Sequence, residues 1–321
     1  MSGLAQSQWL RQGTLIVGKT VDPGAAEQPA LDLSELKFHF NIRQQDATTP
    51  NTATIRVYNL AEQTAQLIQT EFSRVVLQAG YKYTTSGIIF DGTIVQTRKG
   101  RERNVDSYLD IMAAEGTLPY QFAVVNKTLA PGSTPKDQAN AISEALKPYN
   151  LTIGNDAGLV GGTLPRGKVL FGMALAHLDQ LTETTGSTWV IQRGQINVVP
   201  LTGYLAGEAV QLNSSTGLIG TPEATQEGIK LQCLINPKIR LGGRIQINNR
   251  DINTVINRGP PLASPVNPFG GAFASVTADG FYRVVVIEYE GDSRGEPWYQ
   301  NIIALAIDQS APADKSVKMY P

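Results

Sequence analysis

Apolar and polar residues alternate strictly from Leu36 to Arg43. Leu36, Phe38, Phe40 and Ile42 interleave with Lys37, His39, Asn41 and Arg43. A side-chain period of two predicts a strand with one buried and one wet face. Gln44 to Asn51 holds Asp46, Thr48, Thr49 and Pro50, which is turn chemistry. Ala53, Ile55 and Val57 then alternate with Thr54, Arg56 and Tyr58, so a second strand is expected to return beside the first. Asn59 followed by Glu62 has the spacing of a helix N-cap, and Leu60, Thr64, Leu67 and Ile68 share one helical face. Val75 to Tyr81 follows as a third strand.

The same pattern extends on both sides. Thr14 to Lys19 reads as a strand and Asp22 to Gln28 as a loop, after a polar arm over residues 1–12. Ile88 to Gln96 and Ser107 to Ala114 read as strands, with Arg98 to Arg103 as a basic loop between them. Strands at this spacing predict a small barrel or sandwich.

Near Glu115-Gly116 the period changes. Asn126 to Ser133 is loop-like, and Thr134-Pro135 reads as an N-cap with proline at the first helical position. Ala139, Ile142, Ala145 and Leu146 keep helical spacing until Pro148. A glycine-rich loop from Gly154 to Gly167 leads to a second helix with an apolar face of Val169, Met173, Ala176, Leu178 and Leu181, ending at Gly186. Trp189 to Pro200 reads as a hairpin turning at Arg193-Gly194. From Ala209 the chain is strand-like again: Val210 to Leu212, Ile229 to Ile235, Arg244 to Ile247, Gly280 to Tyr289 and Trp298 to Ile307. Residues 259–271 form a long proline-rich loop, of a length that is usually functional or mobile.

The expected fold is mainly β with an α/β insertion. A first β-barrel domain spans 1–115, an α/β module 116–200, a second β-barrel domain 201–310 and a tail 311–321.

Composition narrows the function. The 321 residues are 41% hydrophobic and 17% charged, which fits an ordered chain rather than a disordered one. A net charge of −1 leaves no broad basic field for nucleic acid or an anionic membrane. The single cysteine, Cys233, excludes an intrachain disulfide and a cysteine-rich metal site, and its apolar surroundings make it a core residue. No basic-then-apolar leader opens the chain and no run approaches the roughly 20 apolar residues that span a bilayer, so a soluble, cytoplasmically made protein without membrane insertion is expected.

Candidate chemistry is sparse. Zinc-binding and phosphate-loop signatures are absent, and Gly158 to Gly167 contains a proline and reads as a plain turn. His39 and His177, far apart, read as surface or packing residues rather than members of a triad. A carboxylate-dependent wall hydrolase would need two of Asp91, Glu115, Glu288, Glu290 and Asp292 across a cleft, and nothing in the sequence places them so. Asp91-Gly92 and Gly291-Asp292 read as turns. The stretch Arg98 to Arg103 lacks the interleaved aromatics of a single-strand binder and reads as a solvated loop or protein contact. No catalytic, cofactor-binding or metal-ligating residue is therefore assigned, and no cofactor is expected.

Several segments in order resemble a known family: Ala53 to Leu60 with Thr64, Val76 to Tyr81, Ile89 to Ile94, Thr216 to Pro222, Cys233 to Gly243 and Tyr282 to Trp298. Over residues 10–308 the chain resembles bacteriophage baseplate hub proteins of the late control protein D group, related to the spike proteins of type VI secretion. The resemblance implies a structural, non-enzymatic virion protein with two tube-like barrels. It also implies a homotrimeric ring of pseudo-sixfold symmetry that joins a hexameric tail tube to a trimeric central spike. Other baseplate components would be neighbours, and DNA would pass the lumen without specific binding. A contractile tail is implied, with the spike and any wall-degrading activity on other chains. Another tube-like or tail-tip adaptor is the alternative within the same class.

Overall fold

The computed structural model describes residues 10–19, 30–46, 49–83, 85–103, 105–225, 228–248, 252–254 and 280–306. The loop expected at Asp22 to Gln28, the long loop at 259–271 and the tail at 311–321 lie outside them. The first third of the chain runs β1 (Arg11–Gly18), β2 (Ala30–Asp32), β3 (Phe38–Gln45), β4 (Thr52–Tyr58), α1 (Glu62–Thr70), β5 (Arg74–Tyr81), β6 (Ser86–Glu102) and β7 (Asp106–Ala114). The middle holds α2 (Thr117–Phe122), β8 (Val124–Leu129), α3 (Pro135–Leu146), a 3-10 turn at Lys147–Tyr149, β9 (Thr152–Asn155), β10 (Lys168–Met173), α4 (Ala174–Thr184), β11 (Ser187–Gln192) and β12 (Gln195–Pro200). The last third holds β13 (Val210–Leu212), β14 (Leu218–Thr225), β15 (Gly228–Leu234), β16 (Arg244–Ile247), β17 (Asn253–Thr254), β18 (Phe281–Asp292) and β19 (Trp298–Leu305). The architecture is mainly β with an α/β insertion, as the periodicity predicts.

The strands of the first and last thirds join in one fourteen-stranded sheet, ordered β17-β14-β15-β19-β18-β3-β4-β7-β6-β5-β1-β2, with β16 on β18 and β13 on β16. One strand order occurs twice. β3-β4-β7-β6-β5 in the first third matches β14-β15-β19-β18-β16 in the last, each set in the same chain order and wholly antiparallel. Even a bulge repeats: β6 gains a residue against β7 between Ile94 and Gln96, and β18 gains one against β19 between Val284 and Val286. The copies differ at the next position, where β1 runs antiparallel to β5 but β13 runs parallel to β16.

β18 is where the copies meet. Its start pairs with β16 over Phe281 to Arg283, and its end pairs on with β3 from Val286↔Gln45 to Asp292↔His39. The sheet rolls so that β1 and β5 approach β3 and β19. A Cβ on Gly13 would lie 2.9 Å from the Phe38 ring and 3.0 Å from Trp298, so only glycine fits there. Trp298 Nε1 donates to Gly80 O at 3.3 Å across the same gap. No ladder closes either copy on itself among the described residues.

One hydrophobic cluster fills both copies, from Leu15 and Phe38 to Trp298 and Ala304. The middle segment buries a separate one, including Ile142, Leu178, Trp189 and Val198. Alternation in β3 is realised: Phe38, Phe40 and Ile42 are buried, and Asn41 and Arg43 face solvent.

Several local expectations change. Asn59 does not cap α1, whose N-cap is Ala61. With φ at 54°, Asn59 instead extends the β4–β7 ladder, its backbone N–H donating to Ser107 O and its side chain accepting from Ser107 N. Arg98 to Glu102 is not a loop but the far end of the seventeen-residue β6. Asp91-Gly92 and Gly291-Asp292 lie within β6 and β18 rather than in turns. The second helix starts at Ala174, so Val169 and Met173 belong to β10, and Leu175, Leu178 and Leu181 are its buried face. Asn126 to Leu129 is strand rather than loop. Thr134 makes the expected cap, accepting from Asp137 N while Asp137 accepts from Thr134 N.

Candidate assembly surfaces and the buried junction

The middle segment reaches the double sheet through the β11–β12 hairpin. Its turn residues Arg193 and Gly194 both have positive φ, 56° and 74°, the conformation of a type I′ turn. The turn inserts between the two copies of the strand order. Arg193 Nη2 donates to Pro237 O of the second copy at 2.7 Å, and Arg193 N donates to Glu115 Oε1 at the end of the first at 3.2 Å. Asp91 N donates to the same oxygen at 3.3 Å, and Asn51 Nδ2 to Oε2 at 2.8 Å. Asn51 also donates to Ile191 O at 2.7 Å, and Gln192 Nε2 donates to Gln44 Oε1 at 3.0 Å. Glu115 is fully buried, and burial pushes its carboxyl up to about 7, against the hydrogen bonds that favour its charged form.

A second buried knot lies nearby. Arg283 of β18 pairs with Asp46 at the end of β3, and both side chains are almost wholly enclosed. Arg283 Nη1 also donates to Pro200 O at 2.8 Å, where β12 leaves the middle segment. The two knots bind all three parts of the chain. Sequence reasoning missed them because their members, Asp46, Asn51, Glu115 and Gln192, read singly as turn or strand-end polar residues.

The wet face of β18, β3, β4, β7 and β6 carries rows of opposed charge. Arg56 donates to Asp110 through Nε at 2.7 Å and Nη2 at 3.0 Å, and its guanidinium lies 3.9 Å from the centre of the Tyr108 ring. Arg43 faces Glu288 at 3.5 Å, and Lys37 faces Asp292 at 3.7 Å. The exposed face is polar and its charges are paired. β6 departs from this beyond Val95: Arg98, Lys99, Arg101 and Arg103 are exposed, and Lys99 ion-pairs with Glu62.

No catalytic constellation assembles from the candidate acids. Asp91 accepts from Arg74 through both oxygens, at 2.8 and 2.6 Å, and Glu290 accepts from the Tyr299 hydroxyl at 2.9 Å. Glu115, Glu288 and Asp292 have the partners given above. Among the described residues no group of three or more His, Cys, Asp and Glu side chains is placed to hold a metal ion. His39 lies on the wet face of β3 and His177 in α4. Cys233 is buried in β15, and burial pushes its thiol up to about 12, which leaves it a packing residue. No described helix is long and apolar enough to cross a membrane.

The β-sheet scaffold repeats one strand order, and its fold is that of phage tail proteins. The prophage MuSo2 43 kDa tail protein of Shewanella oneidensis matches with a TM-score of 0.53 at 8% identity, over 93% of this chain and 99% of that one. A tail protein of Neisseria meningitidis matches with a TM-score of 0.55 at 8% identity, over 98% and 100%. The E. coli c3393 protein, a component of the type VI secretion system similar to T4 bacteriophage tail proteins gp27 and gp5, matches with a TM-score of 0.51 at 11% identity, over 84% and 73%. No functionally curated protein matches by sequence. The sequence profile of the baseplate hub gp41 family matches residues 15–259, and the chain belongs to that family. As a member of that family it is a structural component of a phage tail baseplate and not an enzyme.

Proposed function

We propose that three copies of this chain form a ring of pseudo-sixfold symmetry, which adapts a hexameric tail tube to a trimeric central spike and leaves a channel for DNA. The observation that carries this reading is the doubled strand order. A chain that supplies two similar wedges allows three chains to present six to a tube and three to a spike. Residues 1–115 and 201–310 are the two wedges, and 116–200 is the module that braces them. A ring of this kind is a heterologous assembly closed by rotation. The paired charges of the wet sheet face suit a channel wall, because DNA is held through unpaired Lys and Arg on its phosphates. Arg43, Arg56 and Lys37 are each opposed by an acid.

The test is copy number. A particle reconstruction is expected to show three copies in a single layer between tube and spike. A stack of many rings would make the chain a tube subunit instead, and a position away from the tube would make it a tip adaptor.

A further inference from the structure

The seam between the middle module and the two sheet copies is sealed by a group that can change charge. Glu115 directly follows β7, and the next residue, Gly116, has a φ of 75° and caps α2, the first helix of the module. The Glu115 carboxyl is met by three N–H groups, from Asn51, Asp91 and Arg193, and is paired with no cation among the described residues. The charged and titratable groups around it do not neutralise it. Asp91 of β6 is itself an acid, and both its oxygens are taken by Arg74 of β5. The Arg193 guanidinium is turned to Pro237 O, and Arg240 acts on Arg193. Tyr289 of β18 is buried, and burial pushes its hydroxyl up to about 12, so it stays neutral. The seam is also imperfectly closed. Gln192 Oε1 and Arg193 Nε are buried there without a protein partner. A cleft of about 70 Å³ runs along it, with Asp91 and Thr93 on the wedge side and Pro119, Leu151, Ile191 and Gly194 on the module side, and has room for water. The other crossing of the chain is firmer: Arg283 of the second copy donates to Pro200 O and Leu201 O and is paired with Asp46.

We infer that Glu115 is a proton-operated latch on the middle module. While it is neutral, the β11–β12 turn stays seated between the wedges. Once ionised, it takes water in along the cleft and unseats the turn, and the module swings on its two crossings, at Gly116 and at Pro200, while both wedges stay folded. A carboxylate sealed among amides without a cation gains more from water than its three hydrogen bonds return. The latch goes beyond the ring reading and operates in a single chain. The closed seam keeps the Glu115 proton up to about pH 7, and an opened seam releases it at the free-group value of 4.5. Closure is therefore favoured in full below pH 4.5 and weakens as pH rises through 7, with the opening equilibrium rising about 70-fold between pH 5 and pH 8.

Native-state hydrogen exchange on the full chain, resolved to single amides and corrected for the pH dependence of unprotected amides, tests this. The Arg193 amide, which donates to Glu115, is expected to lose about 70-fold in protection from pH 5 to pH 8. It should exchange at a rate that dilute urea leaves unchanged, the mark of a local opening, whereas the amides of Phe40 and Ile55 in β3 and β4 should exchange only through urea-dependent unfolding. Glu115→Gln cannot ionise and is expected to show the same Arg193 protection at both pH values, whatever its absolute level. Protection of Arg193 that does not change with pH in the native chain, a fall that Glu115→Gln shares, or exchange of Arg193 with the urea dependence of Phe40 overturns the latch. None of these outcomes bears on the ring, which copy number decides.

Discussion

The buried polar residues carry the sharpest consequences. Glu115 has a folded pKa of about 7 against 4.5 for the free group, so the folded state holds a proton that the unfolded state has released between those values. The sign is therefore that stability from this group is full below pH 4.5 and is lost as pH rises through 7. The loss amounts to about 3 kcal/mol at most. Urea denaturation at pH 5 and pH 8 should show it, and Glu115→Gln should flatten that part of the profile. Glu115→Ala leaves Asn51 Nδ2 and the Asp91 and Arg193 amides without their acceptor and should cost about 2–4 kcal/mol. At the second knot, Arg283→Ala leaves Asp46 charged in an enclosed site and should cost about 3–5 kcal/mol, whereas Arg283→Met with Asp46→Leu should recover much of it. Thermal melts of the two variants decide between a broken pair and a merely lost contact. None of these roles was legible in the sequence, because burial of a polar residue depends on which distant segments pack over it. Cys233 was legible, since its apolar neighbours on a strand leave a thiol no other place.

Elements were legible where one face is dry. β3 and β4 follow the alternation that predicts them, and the Arg193-Gly194 hairpin and the Thr134 cap follow from local chemistry. Thr134→Ala should lower stability by about 1 kcal/mol, measured by denaturation midpoint, through loss of the bond to Asp137 N. The far half of β6 was misread because neither of its faces is dry there; a strand without a buried face has no alternation to see. Asn59 was misread because an asparagine three residues before a glutamate fits a cap as well as it fits the positive φ that it adopts. Val169 was assigned to a helix because apolar residues at 169, 173 and 176 also satisfy helical spacing, although Gly172 stands just before the strand–helix boundary at Ala174. Close approach was not visible either. A Cβ on Gly291 would lie 2.3 Å from the Phe40 ring, itself edge-on to Trp298 at 5.5 Å. Gly291→Ala should therefore destabilise the molecule by about 1–3 kcal/mol through overpacking, with a loss of near-ultraviolet circular dichroism from Trp298.

For the whole molecule, the sequence marked two β-rich regions around an α/β segment but not their relation. A period of two identifies a strand and its dry face, not its neighbour, so the shared order of β3-β4-β7-β6-β5 and β14-β15-β19-β18-β16 emerges only from the ladders. The single sheet running through both copies was equally hidden, since its joint depends on β18 meeting a strand more than 200 positions earlier. Sedimentation of the purified chain should report a mass of three subunits if the two wedges are repeated into a ring. The β18–β3 joint bears on how such a fold ages. It is a row of main-chain hydrogen bonds, to which any residue but proline contributes both donor and acceptor. The angle between the wedges is thus held largely by the backbone and by sheet twist, and side chains along the joint are free to drift, except Gly291 against Phe40 and Arg283 on Asp46. A hinge written in side-chain packing would lose its geometry within a few substitutions. One written in peptide groups does not depend on which side chains it carries.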